Sequence, residues 1–185
     1  YTFAVMSFAQ VAMYAPIFAI FVTPISDDMG WSRTTISLAY SLGSMSGSIL
    51  PAAFGWYMDR HGTRLITTIA GILIALVLLG MCVMTQAWQL MILFAIGRGV
   101  AIGIIHAGGS IAVANWFVAK RATAASLTNV GLRAGQFAVP LMLIPVLATY
   151  GWRAACFLLA IMALGMVVLP AAMFLRRRPE DHGLL

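Results

Sequence analysis

Two arginines carry charge in the middle of long apolar stretches. Arg98 lies within the apolar run 89–114, and Arg133 lies within the run 124–148. An ionised side chain among apolar residues is costly, so such a residue is expected to serve a function. The forked donors of a guanidinium match a carboxylate in two parallel hydrogen bonds. The two positions therefore predict a binding site for a small organic anion.

The acidic residues do not neutralise these arginines within the sequence. All five Asp and Glu residues lie at the ends of apolar runs, so neither arginine has a counter-ion inside one. The alternatives to anion binding are a structural role between helices and pairing with residues outside this sequence. Arg133 is the stronger candidate, because Gly131 and Gly135 flank it and leave room for a ligand. The same Gly-x-x-x-Gly spacing also favours close helix packing.

Uncharged polar residues lie in similar apolar surroundings. Gln10 and Tyr14 in the first run, and Tyr40 in the second, are expected to line the same cavity as substrate-binding residues. His106 is a candidate proton carrier because imidazole titrates near neutral pH. The alternative for His106 is a hydrogen-bonded packing residue.

The composition indicates that lipid surrounds most of the chain. Of the 185 residues, 62% are hydrophobic and only 9% are charged, and the mean hydropathy is +0.98. These values are typical of an integral membrane protein. Six apolar runs are each close to or longer than the roughly 20 residues that cross a bilayer. Because backbone groups in lipid must form their hydrogen bonds within the protein, we predict six transmembrane helices. The runs are 3–25, 35–57, 65–85, 89–114, 124–148 and 154–175.

The basic residues predict how these helices are oriented. Seven Arg or Lys residues follow the second, fourth and sixth runs, whereas the first and fifth breaks carry only Arg33 and Arg153. Positive residues favour the cytoplasm, so both ends of the segment are expected there, in a multi-pass protein of the cell membrane. Lipid headgroups and topology explain the net charge of +6, and no nucleic-acid partner is expected. Because the sequence begins without Met, we expect a fragment, with a bundle over 1–175 and a cytoplasmic linker starting at 176–185.

The break between the second and third runs carries the most specific motif. The spacing Gly55-x-x-x-Asp59-Arg60-x-Gly62-x-Arg64 resembles the signature of the loop between the second and third helices of the major facilitator superfamily. The resemblance implies half of a twelve-helix transporter: an amino-terminal six-helix unit of two inverted three-helix repeats, partnered by a carboxy-terminal half. It also implies that the five motif residues form a conformational gate. The alternative is a solvated loop that sets topology.

Further motifs resemble a bacterial branch of that superfamily related to the monocarboxylate transporters. They are Asp28-Met-Gly-Trp-Ser-Arg33, Trp116-Phe-x-x-Lys-Arg121, Tyr150-Gly-Trp-Arg153 and Arg178-Pro-Glu-Asp-x-Gly-Leu184. One departure lies in the fourth run. The superfamily has a glycine four positions after an arginine, whereas here the glycines that follow Arg98 are Gly99 and Gly103, one and five positions later. Together with the arginines, the resemblance implies a carrier of monocarboxylate-like anions that works by alternating access, as proton symport or anion exchange.

Other functions are weighed against this one. A carrier of neutral or cationic solutes, including a drug exporter, stays open. A six-helix channel should show a polar stripe on several runs, whereas the third and sixth runs are almost wholly apolar. An enzyme would need convergent acids or a nucleophile with a base, and the sequence offers neither. Cys82 and Cys156 lack metal-ligand spacing, so no metal or other cofactor is expected.

Overall fold

The structure, a computed structural model, describes residues 10–61, 63–106 and 121–170. At residues 10, 51–61, 63–65, 121 and 124 it describes the backbone but not the side chain. Almost every residue in the three ranges is helical and none is in a strand, which confirms the all-α prediction for this part of the chain. The predicted elements at 3–9, 107–120 and 171–185 lie outside the described residues.

Helices run the length of all three ranges. They are α1 (Ala15–Met29), preceded by a 3-10 turn at Gln10–Met13, then α2 (Arg33–His61), α3 (Thr63–Val83) and α4 (Ala87–Val100), which continues as a π-helix through Ala101–His106. A further stretch, Arg121–Ala163, is interrupted at Gly151, whose φ of 79° and ψ of 176° are not helical. We call its parts 121–150 and 152–163 α5 and α6. A π-helical segment, Leu164–Val168, follows α6.

Within the described residues, three stretches are long and apolar enough to cross a membrane. They are Ile66–Val83, Ala87–His106 and Ala125–Val168, the last of which includes both α5 and α6. α2 has the length to cross, with 29 residues, but its serines, threonines and glycines dilute its hydropathy. α1 has only 15 residues. Within the described residues, three stretches therefore meet both requirements for a span.

The first apolar run is not one continuous helix. Tyr14 is extended, with φ of −92° and ψ of 161°, between the 3-10 turn and α1. Pro16 lies in the first turn of α1, where its missing N–H and fixed φ favour a helix start. The prediction of one helix through 3–25 is therefore wrong at Tyr14, whereas Pro24 is accommodated inside α1.

α2 and α4 form the most extensive helix contact. A Cβ built at Gly43 would lie 2.8 Å from Cδ1 of Phe94, and a Cβ built at Gly99 would overlap the side chain of Leu50. A larger residue at either position would require neighbouring side chains to shift, so Gly43 and Gly99 allow the two helices to approach closely.

Large apolar side chains lie on both the inside and the outside of the bundle. Phe94, Ile74 and Leu159 are almost fully buried in the core. In contrast, Val130 is 61% and Phe137 is 73% exposed. An apolar exterior of this kind requires lipid or other apolar helices around it.

Candidate functional site

Arg98 is held by two partners from different parts of the chain. Its side chain is only 9% exposed. Nη1 donates to the carbonyl oxygen of Met13 at 2.7 Å, and Nη2 donates to the hydroxyl of Tyr40 at 2.8 Å. The guanidinium carbon also lies 4.3 Å from the centroid of the Tyr40 ring, in cation–π geometry. Arg98 thus links α4 to α2 and to the backbone just before α1.

The Tyr40 ring that contacts Arg98 belongs to a cluster of three aromatic rings. The ring centroids of Phe18 and Phe94 are 4.4 Å apart, and the Tyr40 centroid lies 5.3 Å from that of Phe18 and 5.9 Å from that of Phe94. Gly43 lies beside them, and a Cβ there would be 3.0 Å from Cδ of Arg98. The Tyr40 ring covers one face of the guanidinium, and Arg98 is buried, so its charge acts in a medium less polar than water.

The Nε atom of Arg98 is buried and has no hydrogen-bond partner among the described residues. A buried donor without a partner typically costs about 1–3 kcal/mol. The N–H of Nε therefore stays unused among the described residues.

Arg133 differs from Arg98 in its exposure and in its contacts. Its side chain is exposed on α5, and Nη1 donates to Oε1 of Gln136 at 2.9 Å. Gln136 lies one turn further along the same helix, so this bond does not tie Arg133 to another helix. Within the part of the chain that the structure describes, neither Arg133 nor Arg98 forms an ion pair with a carboxylate. Arg133 thus presents an accessible positive charge.

Tyr14 lies beside the contacts of Arg98. Its side chain is half-buried at the interruption before α1, and it directly follows Met13, whose carbonyl accepts a bond from Arg98. Tyr40 joins the group through its own bond to Arg98. Of the predicted substrate-binding residues, Arg98 and Tyr40 are therefore in contact and Tyr14 lies next to them in the chain, whereas Arg133 has its described hydrogen bond on α5.

Other predicted site residues lie apart from this group or outside the described residues. His106 is exposed at the end of the π-helical segment of α4, about 12 Å along the helix from Arg98. The side chain of Gln10 lies outside the described residues.

The predicted gate is described only in part. Gly55, Asp59 and Arg60 have helical backbone at the end of α2, and Arg64 has helical backbone at the start of α3. Their side chains and the whole of Gly62 lie outside the described residues.

Sequence analysis missed the aromatic part of the site, although a signal was available. Phe94 lies four residues before Arg98, and Phe18 lies four residues after Tyr14. This spacing places each ring one helical turn from a predicted site residue. No such signal pointed to the Met13 carbonyl, because a backbone carbonyl becomes free to accept a side-chain hydrogen bond only where the helix is interrupted.

A second polar cluster joins the end of α1 to the start of α6. Oδ2 of Asp28 accepts hydrogen bonds from Nε1 of Trp152 at 2.9 Å and from Nη1 of Arg153 at 2.8 Å. The guanidinium of Arg153 also lies 4.4 Å from the Trp152 ring centroid. The bond from Trp152, and then the bond from Arg153, hold the pKa of the Asp28 carboxyl below its ordinary value. Two motifs that are far apart in the sequence thus form one cluster.

No group of three or more metal-ligating side chains lies within the described ranges. Cys82 and Cys156 are free thiols there. Sγ of Cys82 donates to the carbonyl oxygens of Leu78 and Arg153, both at 3.3 Å. These contacts give the Cys82 thiol a structural role between α3 and the start of α6.

Comparison with known proteins identifies the family. The family model described as Major Facilitator Superfamily matches residues 2–185. The chain is 25% identical over 190 residues to a probable sulfoacetate transporter, SauU, of Cupriavidus necator, a match that covers 98% of this chain and 40% of that protein. It is 27% identical over 131 residues to monocarboxylate transporter 14 of Mus musculus, which covers 70% of this chain and 26% of that protein. The chain therefore spans less than half the length of these relatives.

The fold agrees with this assignment. The crystal structure of tetrameric PepTSo2 matches with a TM-score of 0.72 and 19% sequence identity, covering 91% of this chain and 39% of that one. The apolar helices and the family match confirm the predictions of a membrane protein, of the superfamily and of a protein that is not an enzyme. The chain belongs to the major facilitator superfamily, a family of membrane transporters.

Proposed function

We propose that this chain is part of a secondary transporter that moves a small organic anion by alternating access. The observation that carries the proposal is an accessible guanidinium at Arg133 and a buried one at Arg98, with no carboxylate paired to either among the described residues. Two positive charges without counter-ions attract an anion. The relatives named for sulfoacetate and for monocarboxylates both handle small anions by name, which supports the same class of substrate.

The architecture that accompanies this function is an amino-terminal half. Residues 1–175 form six transmembrane helices in two inverted three-helix repeats, and 176–185 begin the cytoplasmic linker to a carboxy-terminal half. The short coverage of each relative supports a second half beyond this sequence. Both ends of the segment face the cytoplasm of a cell-membrane protein, as the distribution of basic residues favours.

The anion binds at Arg133 in this proposal. A carboxylate or sulfonate can accept two parallel hydrogen bonds from the exposed guanidinium. For Nη1, the anion would compete with Oε1 of Gln136, which accepts a bond from that atom. Arg98 adds a second positive charge from the protein interior.

Transport is coupled either to a proton or to a second anion. No acid lies inside the apolar runs, so proton symport would use His106 or a carboxylate of the other half. Exchange of one anion for another needs neither group. The gate of Gly55, Asp59, Arg60, Gly62 and Arg64 closes the cytoplasmic side in the outward-facing state, because a carboxylate pairs favourably with guanidinium groups and helix N-termini.

Uptake by the complete transporter in proteoliposomes tests the function. The labelled compounds are pyruvate, sulfoacetate, a neutral sugar and an organic cation, each with and without an imposed proton gradient. We expect saturable uptake of an anion, and we expect Arg133→Ala to abolish it while the protein still inserts into membranes. Arg33→Ala is the matched control, because Arg33 is an exposed arginine at the start of α2, away from the site.

Each outcome has a definite meaning. Near-normal anion uptake by Arg133→Ala would contradict the substrate role of Arg133. Uptake only of the sugar or the cation would contradict the anion proposal and support a carrier of neutral or cationic solutes. A response of anion uptake to the proton gradient would support symport, and stimulation by an internal anion would support exchange.

A further inference from the structure

Polar side chains follow one another along α5. Ser126, Asn129 and Arg133 are exposed, and Gln136 is partly buried. Steps of three, four and three residues place all four on one side of the helix, and we call them the polar stripe. They belong to the stretch Ala125–Val168, which is long and apolar enough to cross a membrane. The polar stripe therefore lies at membrane depth.

Lipid is an unfavourable environment for the polar stripe. Charged and polar side chains within a span face the protein interior or a water-filled cavity. α6 shows the contrast, because the exposed residues in its middle are the apolar Phe157 and Ile161. On α5, the exposed Val130 and Phe137 lie beside the polar stripe. Mostly apolar walls with a few polar groups are typical of ligand cavities, so these neighbours suit a cavity lining.

The members of the polar stripe differ in the donors that they keep for a ligand. Oγ of Ser126 donates its one hydrogen to the carbonyl oxygen of Ala122 at 2.9 Å. Nδ2 of Asn129 donates to the carbonyl oxygen of Ala125 at 3.0 Å. An amide nitrogen carries two hydrogens, so the second N–H of Asn129 is left over from this bond. Asn129 can therefore donate to an anion without losing its own bond, whereas Ser126 cannot.

Asn129 lies one helical turn before Arg133. Four residues of α-helix rise about 6 Å, and side chains at this spacing have Cβ atoms about 5–6 Å apart. Arg133 uses one of its five N–H groups in the bond from Nη1 to Oε1 of Gln136. The remaining guanidinium donors and the Asn129 amide can therefore bond to two groups of one small anion.

We propose that the polar stripe lines the path of the anion and that Asn129 binds the anion together with Arg133. Arg133 binds one acid group, and the Asn129 amide donates to a second acceptor group on the same molecule. The substrate is then a small acid with a second acidic or polar group, as in sulfoacetate, which carries a sulfonate and a carboxylate. This inference rests on the proposed function and adds a ligand and a substrate feature to it.

Thiol labelling tests where the polar stripe lies. Single cysteines are placed by Ser126→Cys and, as the matched control, by Ile161→Cys, in the complete transporter without Cys82 and Cys156. A charged thiol reagent is present on both sides of the proteoliposome membrane. We expect rapid labelling of Ser126→Cys and slow labelling of Ile161→Cys, because a thiolate forms in water and not in lipid. Labelling of Ser126→Cys no faster than that of Ile161→Cys would overturn the placement of the polar stripe.

Uptake by Asn129→Leu tests the second ligand, because leucine has a similar size and no donor. Thr149→Val is the matched control, since Thr149 is exposed on α5 away from the polar stripe and bonds to the Pro145 carbonyl. The measurements are the KM of labelled sulfoacetate and the inhibition of its uptake by acetate, which has one acid group. Size-exclusion chromatography establishes that each variant folds like the parent.

We expect Asn129→Leu to raise the KM of sulfoacetate about tenfold, because a hydrogen bond to a charged group is lost. The preference of the transporter for sulfoacetate over acetate should fall by the same factor, since acetate has no group for Asn129 to bind. Thr149→Val should leave both quantities unchanged. An unchanged KM in Asn129→Leu, or an equal loss of affinity for both acids, would overturn the inference.

A failure of the proposed function gives different results. It would appear as no uptake of any anion by the unaltered transporter, or as normal uptake by Arg133→Ala. Uptake of pyruvate without uptake of sulfoacetate, in a transporter that depends on Arg133, would refute the inference alone.

Discussion

Replacing Gly43 by alanine tests whether the close approach of α2 and α4 positions the site. The new Cβ would lie 2.8 Å from Cδ1 of Phe94 and 3.0 Å from Cδ of Arg98. Phe94 has little room to move, because its ring packs against those of Phe18 and Tyr40. Arg98 can move only by straining its bonds to the Met13 carbonyl and the Tyr40 hydroxyl.

The expected magnitude follows from two opposing effects. Overpacking a close contact usually costs about 1–3 kcal/mol. Alanine in a helix is more favourable than glycine by about 1 kcal/mol. The Gly43→Ala variant should therefore be less stable than the parent by up to about 2 kcal/mol.

A matched glycine separates these two effects. Gly165 has nothing within 4 Å of a built Cβ, so Gly165→Ala should show the helix gain without the overpacking cost. The assay is thermal unfolding of the complete transporter in detergent, followed by the uptake assay for KM. We expect a lower midpoint for Gly43→Ala than for Gly165→Ala, and a raised KM only for Gly43→Ala. If Gly43→Ala were as stable as Gly165→Ala, or more stable, the reasoning from close packing would be refuted.

Two further predictions concern the ends of the helices. Asp28→Asn should lower the thermal stability of the transporter, because the amide oxygen can still accept bonds from Trp152 and Arg153 but lacks the charge that strengthens them. The pKa of Asp28 is lowered in the folded protein, so this contribution should be present above the ordinary carboxyl pKa and be lost as the pH falls through the lowered one. Asp27→Asn is the control, and an identical pH dependence of stability in Asp28→Asn and the parent would contradict the role of Asp28. The gate is tested with a cysteine placed at Ala134 in a transporter that lacks Cys82 and Cys156. Asp59→Asn should increase the labelling of this cysteine by a reagent added on the cytoplasmic side. An unchanged labelling pattern would count against a gate at Asp59.

Much of the fold is predictable from the sequence because a membrane leaves few alternatives. Long apolar runs must be helical in lipid, and within the described residues the helices from α2 onward overlap the predicted runs. The break between the last two helices was predicted beside Gly151, where the backbone leaves the helix. The interruption at Tyr14 was not predicted, because the apolar run continues through it and Pro16 alone does not distinguish a helix start from a kink.

The candidate site was predicted as a set of residues but not as an arrangement. Charge in an apolar run singles out Arg98 and Arg133 from composition alone. Their surroundings differ. Arg98 is buried against the Tyr40 ring and bonds to two acceptors, whereas Arg133 is exposed on α5. Burial and hydrogen-bond partners come from helix packing, which a single sequence does not encode in its local spacing.

The sequence by itself determined the class of this protein, because apolar length requires helices in lipid and the loop motif at Gly55 to Arg64 resembles one superfamily. It also determined which side chains carry charge inside the apolar runs. Only the tertiary structure decided that Arg98 bonds to the Met13 carbonyl, and that Asp28 meets Trp152 and Arg153. These contacts join residues more than 80 positions apart, and their geometry arises from how helices pack around glycines and breaks rather than from any local pattern.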